Sequence, residues 1–149
     1  MGVGAMWPTA GANTVSKTIN GTGDKSKQDR VIGKMASQAR DIAKTLAPHG
    51  KTGNLARTIF SRKVSDCVYD VGSPLVYAWA VEFGSGTYGE GPLATGSPIE
   101  AKKSEYLAFR IGGRWIRVRF VLGQRPQPFL RPACEQVDPK EATANFMEK

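Results

Sequence analysis

Gly84, Gly86 and Gly89 in the stretch GSGTYG fall at the spacing G-x-G-x-x-G, and an acid, Glu105, follows about 20 positions later. In a dinucleotide-binding turn, such glycines let backbone amides approach a pyrophosphate, and the acid holds a ribose hydroxyl. That chemistry needs a buried strand before the first glycine and a helix after the last, because the helix N-terminus receives the charge. Here Gly89 is followed by EGPLATGSP, which cannot form that helix, and Glu90 would repel phosphate. There is no βαβ repeat to build a parallel sheet. The spacing therefore predicts a surface loop over residues 84–100, in which Gly86 and Gly89 supply freedom and Tyr88 an anchor.

Other chemistries find less support. His49 is the single histidine and sits between Pro48 and Gly50, where an imidazole meets the carbonyls ending a helix. Cys67 and Cys134 are far apart, form no C-x-x-C pair and read as buried, reduced thiols. No G-x-S-x-G, H-E-x-x-H or G-K-[ST] pattern occurs. No catalytic residue, cofactor, metal or small-molecule substrate is predicted, and the chain reads as a non-enzyme. The stretch FRIGGRWIRVR places Arg110, Arg114, Arg117 and Arg119 among aromatics, residue types that suit nucleic acid or a protein interface. Arg114, Arg117 and Arg119 are the candidates for either contact.

Composition sets the frame for these residues. The 149 residues, 40% of them apolar, suffice for one domain with a real core. A net charge of +8, from 21 basic and 13 acidic side chains, suits a polyanionic or acidic neighbour. No apolar run is long enough to span a membrane, and the opening MGVGAMWPTAGANT lacks the pattern of a secretory signal. A soluble protein made in a cytoplasm is expected, with no membrane partner.

Residues 1–23 read as a flexible arm and 24–149 as one domain, with 84–125 as a loop and hairpin extension. Val31, Ile32, Met35, Ala39, Ile42, Ala43 and Leu46 recur at spacings of three and four, predicting a helix from Lys25 that is capped by Asp24 or Ser26 and stopped by Pro48. KTGNLARTIF predicts a short helical turn leading into a strand, and KVSDCVYDVG alternates as one strand. Pro74 opens a short helix through Glu82, with a buried strand as the alternative. EYLAFRI and RWIRVRFVL flank Gly112-Gly113 as a hairpin with one core face and one polar face. A final helix begins with Asp138 as cap, Pro139 in the first turn and Glu141 at the third position. The order predicts an α+β fold: an N-terminal amphipathic helix on a small antiparallel sheet, a loop plus β-hairpin, and a C-terminal helix.

Three stretches in order, APHGKTGNLARTI, VGSPLVYAWAVEFGSGT and RPQPFLRPA, resemble the small neck and tail-component proteins of long-tailed, lambda-like siphophages. Pro48, Thr52, Gly53 and Leu55 match that family's first motif. Tyr77, Ala78, Glu82 and Gly84 match the second, and Gln127, Pro128, Phe129, Leu130, Pro132 and Ala133 the third. The resemblance runs from about residue 26 to the end and leaves out the N-terminal arm. It implies a structural virion protein of the head–tail connector or tail-completion type, assembled in the bacterial host cytoplasm. Its partners would be copies of itself in a hexameric ring, the adjacent head-completion and tail-terminator or tail-tube proteins, and DNA in the channel. A tail terminator ring capping the tail tube is the alternative within that family, and a basic DNA-binding module the alternative of another class. Tyr88 would then meet an adjacent subunit, and Arg114, Arg117 and Arg119 the channel or an acidic neighbour.

Overall fold

The computed structural model describes residues 3–6, 14–17, 25–90, 95–140 and 142–143. The first helix, α1 (Lys25–Leu46), buries Val31, Ile32, Met35, Ala36, Ala39 and Ala43 along one face. Four of the six are alanine or methionine, so the helix can lie close to what it packs on. Ile42 and Leu46, expected in the core, are half-buried and exposed, while Ala36 joins the buried face. Ser26 lies inside the first turn, and Asp24 is outside the described residues. The helix ends where Pro48 predicts, and His49 Nδ1 donates to the Ala47 carbonyl at 2.8 Å. Gly53, at φ +58°, turns the chain into α2 (Asn54–Thr58), a left-handed position that glycine occupies without penalty.

Four strands form an antiparallel sheet in the order β1-β2-β4-β3: β1 (Val3–Met6), β2 (Thr14–Lys17), β3 (Phe60–Ser65) and β4 (Val68–Gly72). Two expectations need correction here. Residues 1–23 were expected to be a flexible arm, but β1 and β2 pair with each other and β2 lies along β4, Thr14 opposite Asp70. Without β2, that edge of β4 would present a row of unpaired N–H and C=O groups. The predicted single strand KVSDCVYDVG is a hairpin that reverses at Asp66-Cys67, where Cys67 takes φ +59°. A register shift between Lys63 and Ser65 leaves Val64 bulged out and exposed and sets Lys63 opposite Tyr69. An extra residue in one strand reverses the side from there on. Alternation in the sequence hides both events, because each keeps apolar and polar residues interleaved.

After the sheet, the chain runs through Pro74–Tyr77 to α3 (Ala78–Phe83), a helix that starts later than Pro74 suggests. Val76 is 90% exposed before it. Four strands then build two separate ladders: β5 (Ile99–Glu100) with β8 (Phe120–Val121), and β6 (Leu107–Ile111) with β7 (Arg114–Val118). The predicted second strand RWIRVRFVL is thus broken at Arg119. The last helix described in full, α4 (Leu130–Glu135), is followed by a helical turn at Pro139 whose Lys140 N–H is capped by Asp138 Oδ1 at 2.8 Å. Glu141 lies outside the described residues.

By its contacts the chain divides into two compact units, residues 1–78 with 128–149, and Trp79–Gln127. In the first, α1 packs on α2, β3, β4 and α4. Val31 and Met35 also close over Ala142, with Val137 at the edge. The small α+β architecture read from the sequence is present. No helix among the described residues is long and apolar enough to cross a membrane.

Candidate interaction surface

The GSGTYG stretch is a backbone knot. The Ser85 N–H donates to the Gln124 carbonyl at 2.9 Å and the Thr87 N–H to the Leu122 carbonyl at 2.8 Å. In return, the Gln124 N–H donates to Ser85 Oγ at 3.1 Å. Gly86, at φ +62°, lies so close to Leu122 that a Cβ would sit 2.6 Å from its carbonyl oxygen. A Cβ on Gly123, at φ +95°, would overlap the Ser85 carbonyl. These glycines therefore permit close backbone approach, which corrects the expectation that Gly86 loosens the loop. The Tyr88 and Gly89 amides close turns within the stretch, and Tyr88 is half-buried with the Arg125 guanidinium 4.9 Å from its ring centroid. A helix, α3, precedes the first glycine where a nucleotide site needs a strand.

The motif residues serve mostly as framework. Leu55, Ala78, Phe129, Leu130 and Ala133 are buried in the first unit. Glu82 and Gly84 are buried in the second. Phe129, Glu82 and Val71 are the largest side chains taken fully out of solvent, Phe129 at 0% and Glu82 at 1%. A buried carboxylate without hydrogen bonds is costly. Among the described residues, the buried side-chain oxygens lacking one are Gln38 Oε1 and Asp70 Oδ1, and Glu82 is not among them. Thr52, Tyr77 and Pro128 are exposed and Pro132 is half-buried.

No residue of the β6–β7 strands is buried. Gly112 and Gly113, both at positive φ, close a two-residue turn with Ile111 opposite Arg114, the turn whose twist matches that of the flanking strands. Register sorts its side chains: Leu107, Phe109, Ile111, Arg114, Ile116 and Val118 share one face, and Ala108, Arg110, Trp115 and Arg117 the other. The expected core face is only half-covered, with Ile111 60% exposed, and Trp115 on the second face is 73% exposed. The candidate arginines are therefore not one row. Arg114 lies on the face opposite Arg117, and Arg119 lies beyond the strand, 3.6 Å from Glu105 and over the Tyr106 ring.

A polar cluster in the first unit escaped the sequence reading. Asp29 on α1 accepts from Lys63 Nζ at 2.8 Å, from the Cys67 N–H at 2.9 Å and from the Tyr69 hydroxyl at 3.3 Å. The hydrogen bond from Lys63, then that from the Cys67 amide, hold the Asp29 carboxyl below the usual carboxylate range. Partial burial raises the Tyr69 hydroxyl, and its Asp29 partner raises Lys63. Gly33 makes the arrangement possible, since a Cβ there would stand 3.0 Å from the Tyr69 hydroxyl. Its chemistry is structural: it pins the left-handed Cys67 turn to α1. Cys67 and Cys134 are free thiols and half-buried, a correction to their expected burial. Among the described residues, no group of His, Cys, Asp and Glu gathers as a metal site.

Set against family models, curated proteins and solved structures, the chain matches none.

Proposed function

We propose that this chain is a structural subunit of a tailed-phage virion, one copy of a closed ring at the head-to-tail junction that joins the head-completion ring to the tail. One observation carries the reading. Of the three largest side chains fully removed from solvent, Phe129 and Glu82 both stand in the motifs by which the sequence resembles neck and tail-completion proteins. A motif built of buried framework describes how a chain is made, and leaves its exposed segments to differ with the neighbour they meet.

The work of such a subunit is geometric. Identical head-to-tail contacts, repeated with a closing rotation, give a ring. The helix-on-sheet unit supplies a body with a packed core, and the exposed hairpin supplies reach. The test is the mass of the purified full-length chain in light scattering, alone and with the proteins that flank it in the particle. The reading expects a closed oligomer of defined mass, alone or on addition of a neighbour. A chain that stays monomeric beside both neighbours overturns it.

A further inference from the structure

We propose that the β6–β7 hairpin is a basic ribbon that enters a groove of duplex DNA and contacts the phosphates on both sides. Between residues 101 and 119 the sole acid is Glu105, already facing Arg119, against Lys102, Lys103, Arg110, Arg114 and Arg117. Among the described residues, no carboxylate lies within ion-pair distance of Arg110, Arg114 or Arg117. Among the described residues, the one polar contact these three make is from Arg110 Nε to the Gly113 carbonyl at 2.9 Å, which draws that side chain over the turn. The charge therefore has no counterpart within its own unit.

The placement of these guanidiniums selects the occupant. A surface that lies flat on a polyanion needs its cations on one face, but here Arg114 stands on one face and Arg110 and Arg117 on the other. Cations on both faces of a narrow element suit a site walled by phosphate on both sides. The B-DNA major groove, about 12 Å wide, admits a two-stranded ribbon. Among the described residues this ribbon has no third strand on either edge, and it is exposed to its tip, where Ile111 precedes the glycine turn. A single strand of nucleic acid is the weaker fit, because such sites stack successive bases on several aromatics, and Trp115 is the sole aromatic on its face. A protein partner would use the half-covered apolar face of Leu107, Phe109, Ile111, Ile116 and Val118, but would leave Arg110 and Arg117, on the opposite face with Trp115 and Ala108, without a counter-charge. The inference stands on the hairpin alone and does not require the ring.

The test is fluorescence anisotropy of a labelled mixed-sequence duplex titrated with the full-length chain across a salt series. Three phosphate contacts predict affinity falling about 40-fold between about 50 and 200 mM salt, from a slope near 0.9 per contact. The triple variant Arg110→Glu, Arg114→Glu, Arg117→Glu is expected to lose at least about tenfold at the lowest salt and most of that slope. An Arg→Gln triple at the same positions provides the same comparison with less charge reversal, and circular dichroism checks that both remain folded. A charge-matched control, Lys25→Glu, Lys27→Glu, Arg30→Glu on α1, is expected to change affinity much less. Several outcomes overturn the proposal: no binding at low salt, equal losses in control and ribbon variants, tighter binding to a single strand than to duplex, or equal competition by polyglutamate.

Discussion

Apolar residues are placed in opposite ways in the two units. Residues 1–78 with 128–149 draw Val31, Ile32, Leu55, Ile59, Val71, Phe129 and Leu130 inside one helix-on-sheet core. Residues 79–127 leave Ile99, Ile111, Trp115, Phe120 and Leu122 exposed and are ordered instead by backbone geometry: the knot between Ser85–Thr87 and Leu122–Gln124, and a two-glycine turn. A two-stranded hairpin is marginal by itself. Its exposed side chains therefore contribute little to folding and are free to serve a contact. The contrast assigns stability to one unit and, under the proposal above, recognition to the other.

The sharpest way to break that contrast is Phe129→Ala, which empties a fully buried site. A loss of about 3–5 kcal/mol is expected in denaturant unfolding; a loss near that of a surface change would mean the core lies elsewhere. Next comes Gly123→Ala, which sets a Cβ against the Ser85 carbonyl at a left-handed position. A cost of about 1–3 kcal/mol is expected, read locally as faster hydrogen exchange at Ser85, Thr87 and Gln124. Unchanged exchange there would refute the knot.

Asp29→Asn gives a smaller and pH-dependent loss. Because the folded carboxyl lies below its unfolded value, its contribution is complete above about pH 4 and vanishes as pH falls through the lower folded value. The variant should be less stable at neutral pH, with the gap closing in acid; a gap that persists unchanged would exclude charge as the cause. The least effect is expected from Trp115→Ala, within about 0.5 kcal/mol, since the indole is mostly in solvent. A loss several times larger would show that the ribbon's second face is part of a core.

Where physics is local, the sequence spoke clearly. The three-and-four spacing of α1, the stop at Pro48, the Gly112-Gly113 turn and the Asp138 cap each depend on neighbours a few positions apart, and each is found. Where the determinant is distant, it was silent. Asp29 meets Cys67 and Tyr69 across 38 and 40 positions, and no pattern in a single sequence marks such a pair. The Cys67 reversal was hidden because a left-handed residue there is held by a remote carboxylate and not by a glycine. Gly86 carries the opposite lesson: a glycine that looked like freedom is, with Gly123, a place where two backbones touch. The strands β1 and β2 were missed because their reason to exist is the open edge of β4. For the proposed interface, the sequence showed arginines interleaved with aromatics, and the register places Arg114 on one face and Arg110 and Arg117 on the other.

Averaged images of intact particles with this chain tagged would decide whether it is a ring subunit whose stable body and exposed ribbon have separate tasks, as proposed. The expected result is several tagged copies arranged as a closed ring between head and tail. Complete, infectious particles that contain no copy of the chain would contradict it.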